Sequence, residues 1–499
     1  MRTELSTAFP RLIDAQPPLA APAALDARGR ARQALTTSPL PEVLAVAGLL
    51  AALFGVFIWR LGAVLVPYVD EGTYLYAAKL VTDGQVPYRD FLLAHPPLLI
   101  YLAAAWMHVA GTDVTAARLA NLSLVLASTV PLYLVVRQMT RSCLSGLLAV
   151  AAYPAGLLLV GNMGRTVMLD PVVNAFLLLA FALYAMRKGS AWLRLGFGVL
   201  AAAAVLTKFV AVIPIGLIVL GDLAFSRPER RFWRSWLTGA AGAALILVPA
   251  GITLMRTPGF LDDTLISQVE RGGMPLILRV QFLYADVLHF PVILLAMLAS
   301  AWYLARGKDW RVRVAALAGL GTVLALVIGF KSFFAYYVVL GLPWLTIAFA
   351  VACHDVVRRA SVRVWRPALA ALTLTVGLIV PAAYEEAYYR AGASHGSSPA
   401  QIVPILAQTD GYIYSIAPLY ALWSGRPEYP WYYSADALMP RLVGRLTSED
   451  LEQAFSGSQA VVLWADELHD YPQADAYLRS HFELRYQDEY YSLWLRHTT

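Results

Sequence analysis

Apolar runs dominate the chain, each ended by a short polar or basic stretch. They fall near 43–66, 96–110, 115–136, 143–160, 171–186, 195–223, 235–254, 286–305, 312–330, 334–352 and 364–382. Most approach the roughly 20 residues that carry a helix across a bilayer. The pattern predicts a polytopic α-helical membrane protein.

The basic clusters fix an expected topology, because Lys and Arg concentrate in cytoplasmic loops. They are Arg137/Arg141, Arg187/Lys188/Arg194, Arg227/Arg230/Arg231/Arg234, Arg306/Lys308/Arg311/Arg313 and Arg358/Arg359/Arg363/Arg366. Consecutive inside loops need an even number of crossings between them. Segment 96–110 breaks parity. It is short, opens on Pro96-Pro97 and carries His108, so it reads as an interfacial helix.

Segment 195–223 also breaks parity. Two short helices meeting near Lys208 on the outer side repair it. A lysine at the bilayer centre would cost about 2.5–3.5 kcal/mol, which favours an interface or cavity instead. About eleven crossings follow. The expected organisation is a disordered cytosolic tail over 1–41, a transmembrane domain over 42–382 with its first outer loop at 67–114, and an extracytoplasmic domain over 383–499. An integral, multi-pass plasma (inner) membrane protein with a cytoplasmic N-terminus is implied.

Composition agrees: 59% of the 499 residues are hydrophobic and 14% charged, against about a quarter charged in soluble domains. The net charge of +6 is accounted for by the inside loops, so no nucleic-acid partner is inferred. Two cysteines, Cys143 and Cys353, imply no disulfide framework. Residues 1–41 lack an apolar h-region.

That topology collects polar residues on the outer face. The first outer loop holds Asp70, Glu71, Lys79, Arg89 and His95, and the second holds Arg165 and Asp170. Lys208 and Lys331 lie at later outer turns. Polar groups at membrane depth are costly and commonly line functional cavities. Acids to take a proton and cations to hold an anion suit transfer from a lipid phosphate. Each has a plainer explanation. Asp70 and Glu71 suit a helix's first turn, Arg165 and Asp170 suit a local ion pair, and the lysines suit snorkelling. His95 suits a turn cap.

The stretch "DEGTYLYAAKLVTDGQVPYRDFLLAHPPLLIYL…GTDVTAARL" resembles the first outer loop of GT-C glycosyltransferases, in the protein O-mannosyltransferase and ArnT-like branch. "GRTVMLDP", "LTK" at 206–208 and "FFAYYVVLGLPWL" are similar to further family segments, in consistent order over roughly 45–350. The resemblance implies an inverting transferase that moves a hexose or pentose from a polyprenyl-phosphate carrier on the extracytoplasmic side. The acceptor would be an envelope glycolipid, a glycan or a protein. It implies Asp70 as catalytic base. Two departures stand out: His95-Pro96 replaces the Lys-Pro usual in the ArnT branch, and the long central insert usual in mannosyltransferases is absent.

The chemistry then assigns Asp70 as base and Glu71 as its partner, for positioning or for a cation. Lys208, Lys331 and His95 are candidates for the phosphate, Tyr336 and Tyr337 for hydrogen bonds, and Arg165 and Asp170 for orienting the loop or sugar. Two carboxylates with phosphate oxygens suit Mg²⁺ or Mn²⁺, yet no dense ligand cluster demands a metal, and none is assigned.

From 383 the chain turns charged and aromatic. "AVVLWAD", "FELRYQ" and "YYSLWL" read as strands, and "TSEDLEQAF" as a helix capped by Thr447 or Ser448. A small α/β domain follows. "SGRPEYPWYY" is either a sugar- or acceptor-contacting loop or a packing loop. The rival classes are a lipid-linked sugar transporter or flippase, for which no inverted repeat is visible, and a non-catalytic scaffold.

Overall fold

A computed structural model describes residues 40–59, 61, 69–160, 162–186, 190–226, 231–331, 333–359, 362–395 and 398–497. The chain divides into a unit Met1–Ala47 and a unit Gly48–Thr499. The expected disordered tail, 1–41, lies outside the described residues except Leu40 and Pro41, and so do Arg187, Lys188, Arg227 and Arg230 of the basic clusters.

The helices are α1 (Leu40–Ile58), α2 (Val69–Thr82), α3 (Leu98–Ala110), α4 (Val114–Thr140), α5 (Cys143–Leu159), α6 (Leu169–Ala185), α7 (Ala191–Thr207), α8 (Val212–Phe225) and α9 (Arg231–Met255). After them come α10 (Leu276–His289), α11 (Val292–Arg306), α12 (Trp310–Gly329), α13 (Leu342–Arg359) and α14 (Val362–Leu374). Every apolar segment of the sequence is helical over most of its length. Among the described residues, five helices are long and apolar enough to cross a membrane, or six if the bent pair α10–α11 is one span. The mostly helical membrane fold expected from the pattern is present.

Local chemistry explains the breaks. At 13 residues, α3 is about 20 Å long, too short to span. Its Tyr101, Leu102, Trp106 and Val109 are exposed. The 195–223 run divides as expected: α7 ends at Thr207, and Lys208 takes extended dihedrals before α8. The 286–305 run does not begin as one span. Its first residues belong to α10, which meets α11 at 108°, because Pro291 cannot donate the hydrogen bond that would continue the helix.

Packing relies on small residues where there is no hydrophobic drive between helices. Gly198 of α7 abuts α9 so closely that a Cβ would fall 1.8 Å from the Gly239 carbonyl oxygen. At the centre, α5 buries nearly its whole surface, Ser145 to Leu159.

The last apolar helix continues past residue 383. A π turn at Thr375–Ile379 joins α14 to a helix ending at His395. Beyond it lies a four-stranded sheet: β1 (Ile413–Ser415), β2 (Ala460–Trp464), β3 (Phe482–Gln487) and β4 (Tyr491–Arg496), ordered β1-β2-β4-β3. β1 pairs in parallel with β2, and the other pairs are antiparallel. Three strands match the sequence reading. β1 is too short, at three residues, to show alternation. Thr447 caps Ser448–Ser456 in a full capping box with Asp450.

Candidate functional site

Asp70 and Glu71 open α2, in its first turn. Consecutive helical side chains diverge by about 100°, and these two acids have different partners. Glu71 is fully buried. Its carboxylate accepts from Arg118 Nε at 2.9 Å and Nη2 at 2.6 Å, and from the Val167 amide at 2.9 Å. The fork of Arg118 on α4, with the Val167 amide, thus pins α2 to α4 and to the 162–168 turn. Its oxygens are engaged by protein donors, and its cationic partner is Arg118.

Asp70 faces the other way. Its Oδ2 accepts the Tyr336 hydroxyl at 2.8 Å. Tyr336 and Tyr337 sit on a 3-10 turn, Ala335–Leu340. Asn174 of α6 anchors that turn by donating to the Val339 carbonyl at 2.8 Å. Phe334 stacks on Tyr336 with centroids 5.7 Å apart, so the ring that reaches Asp70 is held on its face and at its turn.

Lys208, at the α7–α8 break, is 4% exposed. Its Nζ lies 2.9 Å from both Asp170 carboxylate oxygens and 4.7 Å from the Tyr337 ring centroid. The helix break places the ammonium there, and Asp170 makes its burial affordable.

His95 follows the loop whose Tyr88 hydroxyl donates to the His95 carbonyl at 2.7 Å. Its ring meets Tyr74 edge-on at 6.0 Å. Burial, with the positive charges of Lys208 and Arg271, holds the imidazole well below its ordinary pKa. In this state it is a neutral hydrogen-bonding group.

The other charged candidates have these partners. Arg165 and Asp170 are not a local ion pair. Arg165 pairs with Glu385 and donates to the Trp59 carbonyl at 3.1 Å, whereas Asp170 pairs with Lys208. Arg165 therefore ties the 162–168 turn to the last apolar helix and to the end of α1. Lys331 is exposed, and its Nζ donates to the Val269 carbonyl at 3.2 Å. Among the described residues it makes no hydrogen bond or ion pair with Asp70, Lys208 or His95. Lys79 and Arg89 pair locally with Asp83 and Asp90.

Sequence reasoning missed Arg118 and Arg271. An arginine in the apolar stretch of α4 was the signal for the first. Arg271 lies in the 256–275 connection. Its Nε is buried without a hydrogen-bond partner among the described residues, its guanidinium stands 5.6 Å from the Phe334 centroid, and its charge acts on His95. Among the described residues no group of three or more His, Cys, Asp or Glu side chains is gathered to hold a metal ion.

C-terminal residues pack against the helix and loop that carry Asp70 and His95. The proline- and tyrosine-rich loop packs: the Glu428 amide donates to the Tyr76 hydroxyl at 2.8 Å, and the Leu92 amide donates to the Tyr432 carbonyl at 2.7 Å. The Tyr432 hydroxyl donates to Asp263 at 2.8 Å. Gly72 permits the approach, since a Cβ there would lie 2.8 Å from the Leu419 nitrogen.

Residues 94–252 match the family model described as dolichyl-phosphate-mannose-protein mannosyltransferase. No curated protein matches the chain by sequence. Among solved structures it is similar to ArnT from Cupriavidus metallidurans bound to undecaprenyl phosphate. Identity is 15% over 92% of this chain and 98% of that one, with a TM-score of 0.63. The apo form of that protein gives 17%, 91%, 97% and 0.61. The Archaeoglobus fulgidus oligosaccharyltransferase AglB, in complex with an inhibitory peptide and a dolichol-phosphate, gives 11% over 88% of this chain and 72% of that one, with 0.53. The resemblance to GT-C glycosyltransferases read from the sequence is borne out.

Proposed function

We propose that this chain, which has the GT-C glycosyltransferase fold, transfers a sugar from a polyprenyl-phosphate carrier to an acceptor hydroxyl on the extracytoplasmic side. The N-terminus is cytoplasmic in this reading, about eleven segments cross the inner membrane, and the C-terminal α/β unit lies outside. One observation carries it: the paired tyrosines of a single turn touch both a carboxylate, Asp70 through Tyr336, and a buried ammonium, Lys208 through Tyr337.

In this mechanism Asp70 accepts the proton of the acceptor hydroxyl as its oxygen attacks the anomeric carbon. The bond from that carbon to the phosphate oxygen breaks, and the configuration inverts. Polyprenyl phosphate departs with the electron pair. Lys208 and Arg271 face the phosphate charge that develops, in a site with little water. His95 and Tyr337 supply hydrogen bonds, with Lys331 at the rim. Asp170 holds Lys208 in place, and Glu71, Arg118 and Arg165 hold the outer turns. ArnT was solved with undecaprenyl phosphate and AglB with a dolichol-phosphate and a peptide, which supports a lipid-phosphate ligand here. The transporter reading gains no such support.

The test is turnover. Purified protein incubated with decaprenyl-phosphate-linked pentoses and hexoses should release decaprenyl phosphate, seen by mass spectrometry, for at least one sugar. Absence of release for every donor, with or without a membrane-extract acceptor, would contradict the proposal.

A further inference from the structure

One C-terminal segment, residues 434–437 with Met439, is buried against the loop that carries His95. Ser434, Ala435, Asp436 and Ala437 are all buried, although they belong to a unit otherwise rich in exposed charge. Met439, just beyond, packs on Leu92 and Ala94, immediately before His95. The segment is therefore seated against the loop that delivers the imidazole.

A buried carboxylate needs partners. Asp436 is 8% exposed. Its Oδ1 accepts the Met439 amide at 2.9 Å, as an acid does at the start of a short helix (Leu438–Leu442). No cation pairs with it among the described residues. The charges that reach it are those of Asp70 and Arg271, and its own charge reaches Tyr74. Asp436 is thus bonded to Met439, which packs on the loop before His95, and it feels the charges of Asp70 and Arg271. Burial and the nearby Asp70 charge raise its carboxyl to about 6. Such a position is unfavourable for a carboxylate that serves only as a cap, since capping is as well done at the surface.

We infer that Asp436 is a binding residue whose carboxylate accepts hydrogen bonds from hydroxyls of a sugar ring seated beside the His95 loop, within reach of the charges of Asp70 and Arg271. The inference rests on the glycosyltransferase reading above. It gives the C-terminal unit a direct role, because the group that recognises the sugar comes from that unit and not from the membrane helices. A carboxylate oxygen suits this ligand, since it can accept from two hydroxyls at once and makes charge-assisted hydrogen bonds. The ring belongs either to the donor or to the acceptor.

The experiment compares purified wild type with Asp436→Asn, which keeps an oxygen for the Met439 amide, and Asp436→Ala. Decaprenyl phosphate is the sugarless probe, and decaprenyl-phosphate-linked pentoses and hexoses are the sugar-bearing probes. Affinity is read by tryptophan fluorescence, and KM for donor and acceptor by product formation. In both variants decaprenyl phosphate affinity should stay within about twofold. If the ring is the donor's, sugar-bearing lipid should bind about 10- to 100-fold more weakly. If it is the acceptor's, the acceptor KM should rise by that factor while donor affinity holds.

Unchanged donor affinity and unchanged acceptor KM in Asp436→Asn would overturn the role of Asp436 alone. Failure of wild type to bind decaprenyl phosphate or turn over any donor would overturn the glycosyltransferase reading and this inference with it. Equal loss of sugarless and sugar-bearing lipid in folded protein would also overturn it, since a merely structural role predicts that result.

Discussion

The Tyr336 hydroxyl donates to Asp70 across 2.8 Å, although 266 residues separate them. That bond joins α2 to the turn that enters α13, and in the proposed mechanism Oδ1 of Asp70 is the oxygen that takes the proton. Tyr336→Phe removes the donor and keeps the ring stacked on Phe334. Turnover should fall by about tenfold, the order expected for one hydrogen bond to a charged group, with decaprenyl phosphate binding retained. Steady-state kinetics beside a binding isotherm measure both.

Glu71 and Arg118 should behave as a structural pair. Arg118→Met strands a buried carboxylate, and loss of one partner from such a pair costs about 3–5 kcal/mol. The double variant Glu71→Gln/Arg118→Met should recover much of that. Thermal unfolding in detergent, followed by tryptophan fluorescence, checks the order: wild type, then double variant, then Arg118→Met.

Cation replacement separates the phosphate candidates. Arg271→Met should weaken decaprenyl phosphate binding by about 10- to 100-fold. Lys331→Met, at an exposed residue bonded to a backbone carbonyl, should change it by less than about threefold. Lys208→Met is a poorer probe, since it strands Asp170. Equal losses for Arg271→Met and Lys331→Met would return Lys331 to the site.

Much of this was legible in the chain and some was not. The break at Lys208 followed from parity and from the cost of a central lysine. The separation of Asp70 from Glu71 followed from their being neighbours in a helix. The partner of Arg165 was not legible, because Glu385 is 220 residues away and sequence spacing favours local pairs. Arg271 and Asp436 were missed for a related reason. Each is one polar residue in a polar stretch, and only tertiary packing brings it to the site.

Asp263 gives a pH dependence with a definite sign. Burial raises its carboxyl from the ordinary 3.8 to about 6, against the stabilising hydrogen bonds from Tyr432 and the Leu93 amide, with Asp262 and Arg445 alongside. A raised carboxyl means the folded state holds the proton more tightly than the unfolded state. The stability it contributes is present below about pH 4 and is lost as pH rises through about 6. Asp263→Asn should therefore flatten the loss of thermal stability between about pH 4 and 6 and raise the melting temperature at pH 7.5 by roughly 2–4 °C. Melting curves across that range measure it.

The central claim is that Asp70 is the general base. Asp70→Asn keeps the size of the side chain and an oxygen for the Tyr336 hydroxyl, and removes proton acceptance alone. The direct measurement is single-turnover sugar transfer from a decaprenyl-phosphate donor, normalised to folded, decaprenyl phosphate-binding protein. A fall of about 10²–10⁴ with lipid phosphate affinity unchanged is the result predicted. Near-wild-type transfer by Asp70→Asn would contradict it and leave Asp70 as an acid at the start of a helix.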